Sequence, residues 1–372
     1  MKVLQIGKYY ALSGGIEKVV YNLQEGLDNA DIKCDIICIH NNILEKEDIS
    51  TSSGKIYATK ALFKFASTSF SVDLISKLKK IIKNYDIIQI HHPNPMGTLA
   101  LFFAGIKNEQ HLIVHWHSDI IKQKRLIKIF KPLQDWMLKR ADVVVGTSKI
   151  YIEHSPYLKP YLHKIRSIPI GIDPFPITKL SIELKEKYKD KKVIFSLGRL
   201  CYYKGFDILI SAAKFLPDDY IILIGGDGEL KETLKKQIDN ERVSDKVLLL
   251  GRVPDNKLSE YFLLCDIYCM SSVEKSEAFG VVLLEAFSLG KPVVATNIVG
   301  SGVNWVNQHE VSGYNVELNN PELLAEAIIM IICDKKKYQK YSKGALQRFN
   351  HNFKKQHMVD AFVQLYKGLS IE

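Results

Sequence analysis

The chain has 372 residues, 47% of them hydrophobic and 25% charged, a globular profile that excludes a disordered or collagen-like protein. Six cysteines, none in a CxxC pair, are too sparse for a disulfide framework or a structural zinc site and fit a reducing, cytosolic setting. The length exceeds the usual single-domain range, so two domains are expected.

Charge is unevenly spread. The total is +10, yet residues 1–175 hold 24 basic and 16 acidic side chains, while residues 176–372 hold 27 and 25. The first half is therefore expected to meet an anionic partner such as a phospholipid surface, a lipid-linked phosphate or a nucleic acid; a solvated basic face is the alternative. The longest apolar run, Met96 to Ile106, is too short to span a bilayer and contains two glycines. Met1 to Gly7 reads as a strand rather than the apolar core of a signal peptide, so export by that route is not expected.

In chain order, Lys2 to Gly7 predicts a strand, and Ile16, Val19, Val20, Leu23 and Leu27 recur at helical spacing after it. Strand-like runs follow at Cys34–His40, Asp86–His91, Leu112–His115 and Val143–Thr147. After the Pro/Gly-rich stretch 169–176 the alternation restarts, with runs at Val193–Leu197, Tyr220–Ile224, Val247–Leu250, Ile267–Met270 and Val293–Thr296. Two successive β/α series predict two doubly wound parallel sheets, with ligands held at the carboxyl ends of the strands in a cleft between facing domains.

Several segments carry chemistry. Ser13-Gly14-Gly15 precedes the first helix, where backbone amides and the positive helix end suit a phosphate or sugar oxygen; an ordinary turn capped by Ser13 is the competing reading. The glycines do not follow G-x-G-x-x-G and strand two ends in His40-Asn41, which argues against a dinucleotide oxidoreductase. Gly198-Arg199 and Lys204-Gly205 place two cations after a strand, where they could converge on a diphosphate. Gly225-Gly226-Asp227-Gly228 ends the next strand. Within Glu277-Ala278-Phe279-Gly280-Val281 and the helix beyond it, Glu285 is the only ionisable side chain from Ala278 to Gly290 and is expected to be buried with a fixed partner. Glu277 and Glu285 can face one crevice; a capping Glu277 and a structurally paired Glu285 are the alternative.

His115 and His117 fall on one side of a strand, but no third metal ligand has suitable local spacing and no Asp-x-Asp occurs, so His117 is read as a neutral hydrogen-bonding group, with a structural histidine as the alternative. Ile120 to Arg140 carries seven Lys or Arg among apolar residues, a basic amphipathic stretch suited to an anionic membrane or simply a solvated helix face. His91-His92-Pro93-Asn94-Pro95 reads as a crevice loop without an assigned role.

Together Gly14-Gly15, His117, Gly198-Arg199, Lys204-Gly205, Gly251-Arg252-Val253 and the E-x7-E pair Glu277 and Glu285 resemble the family 4 retaining glycosyltransferases of the GT-B fold. Residues 300–309 are similar to the members that build bacterial surface polysaccharide, including O-antigen mannosyltransferases. The resemblance implies an acceptor-binding domain at 1–172, a nucleotide-sugar domain at 173–352 and a closing helix at 353–372 returning to the first domain. It also implies that His117, Arg199, Lys204 and Glu277 are catalytic. Gly14, Gly15, Gly198, Gly226, Arg252, Val253, Phe279, Gly280, Val281 and Glu285 would join Arg199, Lys204 and Glu277 in holding the nucleotide sugar, with Glu285 on the ribose and Arg252-Val253 at the base. The implied reaction moves a hexose, mannose from GDP-mannose first and a UDP-hexose second, to a lipid-linked or oligosaccharide acceptor. No metal, other cofactor or nucleic-acid partner is expected, and the protein would be cytoplasmic or peripheral on the inner face of the cell membrane. A nucleotide-sugar epimerase of the same architecture and a non-catalytic membrane-bound module are the rival functions.

Overall fold

The computed structural model describes residues 1–10, 14–43, 45–65, 68–121, 124–177 and 179–369. The chain divides into two compact units, one comprising Met1–Ile172 with Lys355–Glu372 and the other Asp173–Lys354.

The first unit contains the strands β1 (Lys2–Tyr10), β2 (Lys33–Ile43), β3 (Glu47–Thr51), β4 (Gly54–Ala61), β5 (Phe63–Phe65), β6 (Thr68–Phe70), β7 (Ile87–His92), β8 (His111–Trp116), β9 (Val143–Gly146) and β10 (Ile165–Ser167), hydrophobic runs forming the central ones. The main sheet has the order β10-β9-β8-β7-β1-β2-β4-β3, and β5 and β6 pair separately. All of its pairings are parallel except that of β3 with β4. The central strands are buried on both faces: Ile87 to His92 are buried without exception. Continuous apolar sequence, rather than alternation, is what such a doubly covered strand requires. Helix Gly15–Asp28 follows β1 and presents Val19, Val20, Leu23 and Leu27 to the core. The closing helix Lys355–Leu369 lies on this unit, with Phe362 against the His115 ring and Val359 against Gly26.

The second unit contains β11 (Lys192–Leu197), β12 (Tyr220–Gly225), β13 (Val247–Gly251), β14 (Ile267–Met270), β15 (Val293–Thr296) and β16 (Gly313–Val316) in one parallel sheet. Their order is β13-β12-β11-β14-β15-β16. Counted within the unit this is 3-2-1-4-5-6, the Rossmann order, whose direction of winding reverses between β11 and β14. The first unit reverses in the same way between β1 and β7. At each reversal the loops leave the sheet in opposite directions and open a crevice at the strand carboxyl ends.

The sequence reading omitted β3 to β6, β10 and β16. Most of these are short or exposed, with Phe63–Phe65 exposed throughout and Ile165–Ser167 only three residues long, whereas β4 buries Ile56, Ala58 and Ala61 but spaces them with small and polar residues that give no apolar run. Among the described residues, no helix is long and apolar enough to cross a membrane.

Candidate active site

The reversal point of the second unit gathers the expected cations and acids. Lys204 ends the turn after β11, and Glu277 lies in the loop between β14 and helix Val281–Ser288. Their side chains meet at 2.5 Å, with only 13% and 11% of each exposed. Ser272 Oγ donates to the same Glu277 oxygen at 3.1 Å. Ser301 Oγ donates to the Glu277 carbonyl, so both the carboxylate and its backbone are held. Burial is the largest single influence and works to lower the Lys204 pKa, but the Glu277 charge and hydrogen bond together with Tyr203 and Cys201 outweigh it and hold the ammonium above its ordinary range.

Backbone ties fix the two loops to each other. Ser271 Oγ donates to the Lys204 carbonyl at 3.0 Å, and the Val273 amide donates to the Tyr203 carbonyl at 2.8 Å. Gly205 has a φ of +61°, and a Cβ there would lie 2.1 Å from the Ser271 carbonyl oxygen. Only glycine allows both this conformation and this approach. On the other side, the Gly198 amide donates to Gly225 and the Gly226 amide to Gly251, joining the ends of β11, β12 and β13. A Cβ on Gly226, at a φ of +140°, would fall 1.8 Å from the Gly198 carbonyl oxygen.

Arg199 is exposed beyond Gly198, and the Tyr203 phenol feels the charges of both Lys204 and Arg199. Arg252 is exposed and Val253 buried just after β13. Phe279 is buried, Gly280 caps helix Val281–Ser288 and Glu285 is buried within it at 6% exposure, with Val281 half-buried at its start. Burial holds the Tyr268 phenol on β14 well above its ordinary pKa, and the charges of Glu277 and Glu285 add to the effect. Ser271, Ser272 and Ser301 were missed by sequence reasoning. Their position beyond a strand end was the available signal, but serine is too common in loops for that signal to stand out.

In the first unit Gly14 and Gly15 lie at the start of helix Gly15–Asp28, Gly14 with extended backbone and no side-chain cap. Ser13, the expected cap, lies outside the described residues. His117 is buried beyond β8, and its backbone amide donates to the His92 carbonyl at 2.9 Å. Its Nε2 lies 2.9 Å from His91 Nδ1.

Local spacing offers His115 and His117 no third histidine, but the neighbouring strand brings one. His91 on β7 pairs in register with His115 on β8, and ring nitrogens of His91, His115 and His117 lie within 4.8 Å of one another. Linear spacing cannot show a ligand brought in by a neighbouring strand. Among these three imidazoles the His91 and His117 nitrogens meet at hydrogen-bond distance. Burial pushes the pKa of His92 and His117 down to about 3 and those of His91 and His115 well below the ordinary value.

Two Rossmann-like units, one with a paired cation and acid at its reversal point, are the architecture of the GT-B glycosyltransferases. Residues 13–174 match the family model described as Glycosyltransferase Family 4, and residues 179–348 match Glycosyl transferases group 1. The chain is 32% identical to O-antigen chain mannosyltransferase C of Escherichia coli, over 99% of each chain. It is 28% identical to the D-rhamnosyltransferase WbpZ of Pseudomonas aeruginosa, covering 95% of this chain and 92% of that one. A solved structure of Anabaena Alr3699/HepE in complex with UDP-glucose superimposes with a TM-score of 0.78 at 18% identity, over 99% of this chain and 100% of the other. The chain therefore belongs to glycosyltransferase family 4, in its O-antigen type, and is a glycosyltransferase.

Proposed function

We propose that the protein transfers a hexose from a nucleotide sugar to a lipid-linked or oligosaccharide acceptor during bacterial surface-polysaccharide synthesis, with retention of anomeric configuration and without a metal. The observation that carries the reading is the Lys204–Glu277 pair, fixed by Ser272 and Ser301 at the reversal point of the second unit. GDP-mannose is the first donor to test, supported by the likeness to an O-antigen mannosyltransferase along nearly the whole chain, and a UDP-hexose is the second.

The chemistry follows from charge. Cleaving the anomeric bond leaves the sugar with positive charge and returns an electron pair to the diphosphate. Lys204 and Arg199 stabilise that departing charge, and a cation already held by Glu277 and the Ser271 contact needs little reorganisation when it forms. Glu277 binds the hydroxyls of the transferred sugar, Glu285 binds the ribose, and the Arg252-Val253 backbone meets the base. Gly14, Gly15, Gly198, Gly226, Phe279, Gly280 and Val281 contribute backbone groups and close walls to the donor site. His117 faces the sugar. The departing phosphate accepts the acceptor hydroxyl proton on the same face, so no separate protein base is required.

The basic helix Lys124–Arg140 supplies a surface for anionic lipid at the inner face of the cell membrane, which places the enzyme beside a lipid-linked acceptor. The test incubates purified protein with GDP-mannose, other GDP-sugars and UDP-hexoses, with and without lipid-linked oligosaccharide. Transfer that requires both substrates supports the reading. Isomerisation of free donor, or no turnover with any donor, defeats it.

A further inference from the structure

The buried imidazoles of the first unit carry an assignment that the family role of His117 does not contain. Gln5 lies on β1 with its side chain buried, and its amide nitrogen donates to the Val20 carbonyl at 3.0 Å. A backbone carbonyl only accepts, so the orientation of this carboxamide is fixed and its oxygen points the other way. That oxygen lies 2.9 Å from His91 Nε2, which must therefore carry a proton and donate. The Gln89 amide nitrogen, another donor, stands off from the same Nε2 at 3.5 Å.

Both histidines are buried and neutral, burial being the leading cause of their lowered pKa, so each ring has one N–H and one lone pair. With its proton on Nε2, His91 can only accept through Nδ1. His117 Nε2, 2.9 Å away, is then the donor. The one remaining lone pair of His117 sits on Nδ1, a buried nitrogen with no hydrogen-bond partner among the described residues. An orphaned buried acceptor is costly unless a partner arrives with a ligand.

We propose that Gln5 and His91 are positioning residues that lock His117 in its Nε2–H tautomer, so that Nδ1 acts as a hydrogen-bond acceptor toward a hydroxyl of the transferred sugar. The proposal rests on the reading that His117 faces that sugar. The direction of the ring matters because the sugar becomes positive as its diphosphate leaves. A lone pair turned toward it stabilises that charge, whereas an N–H would oppose it. The Val20 carbonyl thus sets the polarity of the ring through two intervening side chains.

Full-length protein labelled with 15N-histidine tests this by long-range proton–nitrogen correlation of the His117 ring. Wild type is expected to show protonated Nε2 and bare Nδ1. Gln5→Met, which removes the acceptor for His91, and His91→Leu, which removes the acceptor for His117, should each give a tautomer mixture and lower kcat about tenfold, the effect of one hydrogen bond. His91→Asn keeps an oxygen near the Nδ1 position and should restore the single tautomer and most of the rate.

A protonated Nδ1 in wild type, or an unchanged single tautomer in both Gln5→Met and His91→Leu, would overturn the lock. A tautomer shift with no change in transfer would overturn the sugar contact and the reading of His117 beneath it, leaving the lock in place. Loss of transfer in Lys204→Ala alone bears on the donor site and not on this assignment.

Discussion

Acid should destabilise the first unit far more steeply than a typical domain. His91, His92, His115 and His117 are buried, and burial lowers the pKa of each, to about 3 for His92 and His117. In the unfolded chain each returns to about 6.5. Below that value the unfolded state binds protons that the folded state refuses, so stability falls as pH falls, starting near the unfolded pKa and continuing toward the folded one. Between pH 7.5 and 5.5 one histidine held at about 3 costs about 1.4 kcal/mol, so His92 and His117 together cost about 3 kcal/mol of a typical 5–15 kcal/mol, and His91 and His115 act in the same direction. Because about 3 lies below this window, the result for His92 and His117 depends chiefly on the unfolded value. Burial pushes the Glu17 carboxyl up, which acts in the opposite sense.

Urea unfolding at the two pH values, followed by tryptophan fluorescence and circular dichroism, reads the difference directly. Trp116, stacked on His92 at 3.8 Å, reports on this unit. His92→Phe preserves the stacking and should reduce the change in stability between the two pH values by about 1.4 kcal/mol, since it removes one such proton site. Stabilities at pH 7.5 and 5.5 that agree within about 1 kcal/mol would mean the folded protein takes up these protons, and would refute the argument.

Lys204→Ala and Glu277→Ala should each lower transfer by about 100- to 1000-fold with the fold retained, as measured by initial rates and circular dichroism; near wild-type turnover in either would remove the pair from the mechanism. Each single change also strands a mostly buried charge, so unfolding should show a loss of about 3 kcal/mol that is partly recovered in the double variant. Glu285→Ala should weaken nucleotide-sugar binding by about 10- to 100-fold in calorimetry, the value of a charged hydrogen bond. Gly226→Ala places a Cβ 1.8 Å from the Gly198 carbonyl oxygen, so thermal unfolding and donor KM should both shift, whereas an unchanged KM would separate that loop from the donor site. Lys128→Glu with Lys139→Glu should reduce binding to phosphatidylserine vesicles by at least about 30-fold at low salt, at about 1 kcal/mol per lysine removed.

The sequence by itself determined the two β/α series and a hinge in the Pro/Gly-rich stretch 169–176, where the structure changes unit between Ile172 and Asp173, and it singled out Lys204, Gly205, Glu277 and Glu285 as candidates. These were legible because doubly covered strands must be continuous apolar runs, and because Gly205 and Glu285 are residue types whose surroundings admit few alternatives. Only the tertiary structure decided which groups meet. Lys204 and Glu277 are 73 positions apart, and Gln5 and His91 are 86 apart, because parallel strands bring together residues separated by whole crossover connections. Local spacing encodes which face a side chain takes, but its partner comes from the strand alongside, and that is why His91 was invisible beside His117 until the sheet was assembled.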